Sequence, residues 1–254
     1  MRIIGIIPAR YQSSRFPGKP LADICGKPMI WWVYQQAIKS QKLGSIVVAT
    51  DDIRIEEMCR QYGMNVLMTS SNNKTAADRM YEVSKSIDAE FYVSINGDEP
   101  MIAPVAIDAA VPESAPLDIE YGTNSISLIS DPIDLMDPTN IKVVFNHDMD
   151  AVYMSRTPIP FPYAGLDCHY HKHLGVIGYN RKMLEFYHDS VPGKLEKAEG
   201  IDTLRFIDYG KKLKFCLTEA GGSLSVDTPK DLQKVISLIK TTDMSKKGFI
   251  AHEF

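Results

Sequence analysis

Long apolar runs are missing from this sequence: no stretch approaches the roughly 20 residues that a membrane span requires. An excess of positive charge is missing too. Lys and Arg number 28 against 32 Asp and Glu, for a net charge of −4 and no long basic run, which argues against nucleic acid as the main partner. Cysteines are few; Cys25, Cys59, Cys168 and Cys216 are scattered and form no C-x-x-C, so reduced thiols and a cytoplasmic location are expected. The first residues read as a strand rather than a signal peptide. G-x-G-x-x-G, G-x-x-x-x-G-K-[ST] and G-x-S-x-G are all absent, which removes the two best-known phosphate loops and the hydrolase elbow. At 44% hydrophobic and 24% charged, the composition is that of a globular protein, not a disordered one.

What is present begins with Ile6–Lys19, I-I-P-A-R-Y-Q-S-S-R-F-P-G-K. An apolar strand, Ile3 to Ile7, breaks at Pro8 into a loop carrying Arg10, Ser13, Ser14, Arg15 and Lys19. Cations and hydroxyls directly after a first β-strand have the composition of a polyphosphate cradle. A basic surface loop has the same composition, and the residues alone leave the two accounts level.

Downstream, strands and helices alternate. Strands are expected over Ser45–Thr50, Asn65–Thr69 and Phe91–Ile95, with helices over Pro28–Ser40, Ile53–Tyr62 and Ala76–Ile87. That rhythm predicts βαβ units and a mostly parallel sheet, whose ligands sit beyond the carboxyl ends of the strands. Arg10–Lys19, Asp51/Asp52, Ser70–Arg79 and Asn96–Glu99 should therefore converge. From about Tyr121 strands dominate: Ser125–Ile129, Lys142–Phe145, Ala151–Ser155 and Val176–Tyr179, with Asn146–Asp150 a hairpin loop. Helices are expected over Arg181–His188, Lys197–Tyr209 and Pro229–Ile239, and a strand over Lys212–Leu217. Thr228 is placed to cap the last helix.

Asp98 follows a strand in a G-D-E-P turn, and Asp227 follows Ser223–Val226 in a V-D-T-P turn. Two carboxylates from distant segments suit Mg²⁺, which takes one or two carboxylates plus phosphate oxygens. Each aspartate also reads as an ordinary turn or cap. In Cys168–His173, an extended chain would put His169, His171 and His173 on one side, as a Zn²⁺ site requires; an exposed histidine-rich loop is the preferred account.

In order, P-A-R-Y-x-S-S-R-F-P-G-K-P-L, G-K-P-M-I (26–30), V-V-A-T-D-D (47–52), V-L-M-T-S (66–70), D-R (78–79) and G-D-E-P (97–100) are followed by K-V-V (142–144), S-R-T-P-I-P (155–160), K-H-L-G-V (172–176) and V-D-T-P-x-D-L (226–232). As a set these blocks resemble the sugar-activating cytidylyltransferases, above all the 3-deoxy-manno-octulosonate (Kdo) cytidylyltransferase, or CMP-Kdo synthetase, family. The resemblance implies an α/β nucleotidyltransferase with a Rossmann-like, mostly parallel central sheet flanked by helices and a smaller mixed-strand subdomain. It implies one domain over 1–254, with a nucleotide-binding part at about 1–120 and 212–240 and a sugar-binding and dimerisation part at about 121–211.

The implied reaction converts CTP and a 2-keto sugar acid to a CMP-sugar and pyrophosphate, in the cytoplasm, for lipopolysaccharide or capsule glycans. By position, Pro8, Ala9, Arg10, Ser14, Arg15, Lys19, Arg79 and Asp98 would hold the nucleotide. Arg10, Lys19, Asp98 and Asp227 would be catalytic, the two aspartates through Mg²⁺; Asn96, Arg156, His173 and Asp202 would face the sugar. A homodimer is implied.

Three segments depart from the family. Asn73–Arg79 reads N-K-T-A-A-D-R in place of H-x-S-G-T-D-R, Asn96 replaces the Gln of Q-G-D-E-P, and Ile201–Arg205 reads I-D-T-L-R in place of L-E-Q-L-R. These changes predict an altered acceptor, a modified Kdo or another 2-keto-3-deoxy acid, with simple Kdo still the foremost single candidate. A nonulosonic acid, or a non-catalytic nucleotide-sugar binder, is the alternative.

Overall fold

The computed structural model describes residues 1–13, 16–165, 168–219 and 224–241. Strands along the chain are β1 (Ile3–Ala9), β2 (Asp23–Ile24), β3 (Lys27–Pro28), β4 (Ser45–Thr50), β5 (Val66–Met68), β6 (Phe91–Ile95), β7 (Tyr121–Leu128), β8 (Lys142–Phe145), β9 (Ala151–Ser155), β10 (His171–Tyr179) and β11 (Lys212–Leu217). Helices are α1 (Met29–Ala37), α2 (Ile53–Gln61), α3 (Ala76–Ser86), α4 (Pro104–Ala109), α5 (Pro132–Met136), α6 (Arg181–Asp189), α7 (Lys194–Glu199), α8 (Leu204–Asp208) and α9 (Pro229–Thr241).

The main sheet runs β11-β7-β10-β6-β1-β4-β5, with β8 and β9 attached through β10. β1 pairs in parallel with β4 and β6, β4 with β5, and β7 with β11, while β10 runs against both neighbours. The sheet is thus mostly parallel, as expected, and the β8–β9 hairpin forms the smaller antiparallel part.

Both faces of the sheet are buried, which explains why its central strands read as near-continuous apolar runs. Along β1 the side chains alternate: Ile7 and Ala9 join the core under α1, α2 and α4, while Ile4 and Ile6 join the core under α3 and α6. A third cluster packs Leu232, Val235 and Ile239 of α9 against Ile24, Met29 and Trp32. Each such fully buried aliphatic contributes about 1.5–3 kcal/mol. That packing ties the last helix to the segment just after the first loop. The indole N–H of Trp32 donates to the Ile24 carbonyl at 2.8 Å, so the tryptophan is a packing residue.

Three expectations need correction. β1 does not break at Pro8 but continues to Ala9. Its pairing with β6 ends at Ile6–Ser94, so Pro8 lies where the strand keeps one neighbour, β4, and a missing N–H is tolerated. The single helix expected over Lys197–Tyr209 is two, α7 and α8, because Gly200 takes a left-handed φ of 62° at the end of α7. Residues 224–226 form no strand; Val226 instead donates to the Asp98 carbonyl at 2.8 Å. Ser223 lies outside the described residues.

Candidate active site

A cleft of about 440 Å³ opens at the carboxyl ends of β1 and β6, a volume in the range of small-molecule sites. Pro8, Ala9 and Arg10 line it from the end of β1, and Asn96, Gly97 and Asp98 from the loop after β6. Asn73, Thr75, Ala76 and Arg79 close it from the start of α3; Lys19 and Asp227 complete it.

The first loop is closed by Gly18, whose N–H donates to the Tyr11 carbonyl at 2.8 Å. Gly18 has φ +72°, and a Cβ there would press on the Tyr11 ring, so glycine is required. Immediately after it Lys19 starts a short 3₁₀ turn, Lys19–Leu21. Its ammonium donates to Asp98 Oδ2 at 2.7 Å and to Asp227 Oδ1 at 3.4 Å. Three side chains expected in the site are therefore in direct contact, although Lys19 and Asp227 are far apart in the chain. The Val226–Asp98 backbone bond and the Thr228–Asp231 capping pair hold the Asp227 turn in place.

Arg10 is exposed on the opposite lip and donates to the Lys74 carbonyl at 3.2 Å. Arg79 is buried beneath the cleft, with one guanidinium nitrogen 3.2 Å from Asp51 Oδ2 and another donating to the Thr69 hydroxyl. Asp51 thus acts behind the cleft wall, through Arg79. Asp52 turns away to cap α2 and to pair with Arg54, whose side-chain hydrogen bond lowers the Asp52 pKa. Ser14 and Arg15, expected at the phosphates, lie outside the described residues.

The loop after β6 is clamped to β10. The Asn96 N–H donates to the Gly175 carbonyl at 2.8 Å, and the Gly175 N–H donates to Glu99 Oε1 at 2.8 Å. Side chains of Asn96 and Glu99 occupy the space a Cβ on residue 175 would need. Asp98 Oδ1 is buried and accepts no hydrogen bond among the described residues. A buried carboxylate oxygen without a donor costs free energy unless a cation supplies the missing interaction. The hard oxygens of Asp98 and Asp227 thus fit a divalent cation of the Mg²⁺ type. No cluster of three or more His, Cys, Asp or Glu suited to a metal occurs among the described residues. The histidine-rich stretch is not such a cluster either: the His171 ring stacks edge-on against Phe145, and His173 bonds Asn124 at 2.7 Å.

The remaining expected sugar-side residues lie outside the cleft lining. Arg156 donates to the Pro138, Glu199 and Gly200 carbonyls at 2.9, 2.7 and 3.1 Å, so its guanidinium ties β9 to the end of α7. Asp202 keeps a solvent-exposed face. Its pKa is raised by desolvation and by the Glu196 carboxylate, against the pull of Arg205 and Arg10. Burial holds the His173 pKa down to about 4.

Thr75 went unnoticed in the sequence. Its hydroxyl and the Asp78 carboxylate form a reciprocal capping box at the start of α3, orienting the segment that carries Arg79. The T-x-x-D spacing ahead of an apolar helix was the legible signal.

A parallel sheet with a basic loop after its first strand, and two carboxylates meeting an ammonium at the strand ends, defines a nucleotidyltransferase-type α/β protein. A profile described as cytidylyltransferase matches residues 4–213. The chain is 41% identical to a 3-deoxy-manno-octulosonate cytidylyltransferase of Solibacter usitatus, over 97% of this chain and 98% of that protein. It is 39% identical to an 8-amino-3,8-dideoxy-manno-octulosonate cytidylyltransferase of Shewanella frigidimarina, over 92% and 97%. Among solved structures it superposes on a CMP:2-keto-3-deoxy-manno-octonic acid synthetase complexed with CTP with a TM-score of 0.86 at 33% identity, covering 95% of this chain and all of that one. The inositol-1-phosphate CTP transferase of T. maritima shares the fold, with a TM-score of 0.67 at 18% identity. The chain belongs to the cytidylyltransferase family and is a nucleotidyltransferase.

Proposed function

We propose that this enzyme transfers CMP from CTP to a 2-keto-3-deoxy sugar acid of the Kdo type, releasing pyrophosphate. The observation that carries the reading is the contact of Lys19 with both Asp98 and Asp227 inside the strand-end cleft. The anomeric hydroxyl oxygen bonds to the α-phosphorus, the bond from that phosphorus to the β-phosphate bridging oxygen breaks, and the hydroxyl proton leaves to solvent. Positioning and charge stabilisation supply most of the acceleration in such transfers.

Pro8 and Ala9 form the floor against the nucleotide, while Arg10 and Lys19, with Ser14 and Arg15, offset the charge of the triphosphate and the departing pyrophosphate. Arg79, fixed by Asp51, supports the nucleotide from below. Asp98 and Asp227 would hold Mg²⁺, which when bound would polarise phosphoryl oxygens. Asn96, His173 and Asp202 face the acid. Arg156 braces that side, its guanidinium engaged by carbonyls.

A homodimer is part of this reading. Ile133, Met136, Val152, Phe161 and Tyr163 are exposed on α5, β9 and the loop after it, Phe161 at 81% and Tyr163 at 92%. A second copy covering these side chains would remove apolar surface from water, and light scattering of the purified chain tests it. No helix among the described residues is long and apolar enough to cross a membrane, and we place the enzyme with its CTP supply in the cytoplasm.

Pyrophosphate release with CTP and Mg²⁺ over a panel of Kdo, 8-amino-Kdo and nonulosonic acids tests the proposal. Turnover with one of the two octulosonates supports it and names the acceptor. Turnover with a nonulosonic acid alone moves the specificity to that class. Binding of CTP without release from any acid refutes the synthetase reading.

A further inference from the structure

Asn124 has no exposed surface. The register between β7 and β10 shifts between His173 and Ile177, and this irregularity brings β10 carbonyls onto the Asn124 amide. Its nitrogen donates to the Leu174 carbonyl at 3.0 Å, the Val176 carbonyl at 2.9 Å and the Ser125 carbonyl at 3.2 Å. Acceptors on that end fix which atom is nitrogen, because the reversed amide would set oxygen against oxygen. Oδ1 is therefore the atom 2.7 Å from Nδ1 of His173. An oxygen that can only accept requires a proton on Nδ1. A neutral imidazole carries one N–H, so the lone pair lies on Nε2.

The position of His173 gives this tautomer a use. Asn96 bonds Gly175 just past the end of β6, and His173 stands two residues further along β10, beyond the strand end. The residue keeps part of its surface in solvent.

We propose that Asn124 is a positioning residue that locks His173 in the Nδ1–H tautomer, so that Nε2 accepts a hydrogen bond from a hydroxyl of the sugar acid. This rests on the proposed reading of the acceptor side. With its pKa held down by burial, the ring orients a hydroxyl and does not take its proton.

The test begins with two-bond ¹H–¹⁵N correlation spectra of the ¹⁵N-labelled full-length wild type, which read the tautomer without reference to activity. The expected result is a protonated Nδ1 on His173, unchanged from neutral to mildly alkaline pH; a protonated Nε2 overturns the proposal. Addition of Kdo should then move the Nε2 resonance more than Nδ1. An unmoved Nε2, in an enzyme that turns Kdo over, removes the acceptor role and leaves the synthetase reading intact. An enzyme that turns over no acid loses that reading while the tautomer result stands, so the two failures are distinct.

His173→Gln and His173→Asn separate the two ring positions, since the Gln amide reaches the place of Nε2 and the Asn amide only that of Nδ1. His173→Asn should raise KM for Kdo about tenfold, the loss of one hydrogen bond. His173→Gln should stay within a few-fold, and KM for CTP should hold in both. The reverse order overturns the proposal.

Discussion

Replacing Lys19 by methionine removes an ammonium that stands 2.7 Å from Asp98 Oδ2 and 3.4 Å from Asp227 Oδ1. On the proposed metal role of Asp98 and Asp227, a divalent cation entering the nucleotide-free enzyme competes with that ammonium for the same two carboxylates. The Lys19, Asp98 and Asp227 side chains are 15%, 24% and 23% exposed, so solvent screens each contact. A screened charge-assisted bond retains about 0.5–1 kcal/mol, and the pair of them about 1–2 kcal/mol. Lys19→Met should therefore bind metal about 5–30-fold more tightly than wild type. Turnover should move the other way, falling roughly 10²–10³-fold as a donor to the developing pyrophosphate charge is lost. Titration of the nucleotide-free protein with Mn²⁺, followed by electron paramagnetic resonance, measures the first quantity; pyrophosphate release measures the second. Metal affinity that is unchanged or weaker in the variant would refute the competition argument, whatever happens to turnover.

Further tests reach the scaffold. Arg205 and Glu196 are nearly buried and joined by two 2.7 Å bonds; Arg205→Met strands the carboxylate and should cost about 3–5 kcal/mol in urea unfolding, or roughly 6–10 °C in Tm. A loss under about 1 kcal/mol would show that Glu196 finds water instead. Gly175→Ala drives a methyl into Asn96 and Glu99; activity should fall together with stability, and a variant that keeps wild-type kcat/KM contradicts the clamp. The His173 pKa is depressed from 6.5 to about 4, so the unfolded chain binds the extra proton between those values. The stability this group contributes is complete above the unfolded pKa and is lost as pH falls toward 4, by up to about 3 kcal/mol. His173→Gln should flatten that acid limb of the unfolding curve, and an unaltered limb speaks against a neutral, half-buried ring.

Legibility in the sequence followed locality. The strand–helix rhythm through Phe91–Ile95 depends on apolar periods within single elements, and the sheet was predictable from it. Lys19, Asp98 and Asp227 stood out by motif order, and Asp98 also by its place just past a readable strand, whereas residues 224–226 before Asp227 form no strand. The mutual contact of the three was not legible, because it depends on α9 packing against Trp32 and Ile24, a pairing of distant faces with no local trace. The same holds for Arg156 and Asn124. An arginine in S-R-T-P reads identically whether it meets a substrate or the Glu199 carbonyl. A polar residue inside β7 announces a buried network only once the irregularity in β10 has turned carbonyls toward it. Gly200 looked like one more helix position, and its left-handed turn divided what periodicity had joined.

The docking of α9 also sets an order of events during synthesis. The ribosome delivers Arg10, Lys19, Arg79 and Asp98 early, and β1, β4, β5 and β6 can pair among themselves as they emerge. Yet β10 must insert between β6 and β7, and Asp227 arrives later still, with the helix that follows it. A nascent chain thus carries the basic loop after β1 well before it holds both acidic side chains. A chain that stops short of α9 lacks both Asp227 and the packing of that helix on Ile24, Met29 and Trp32, which makes the last helix the step that closes the Lys19–Asp98–Asp227 contact.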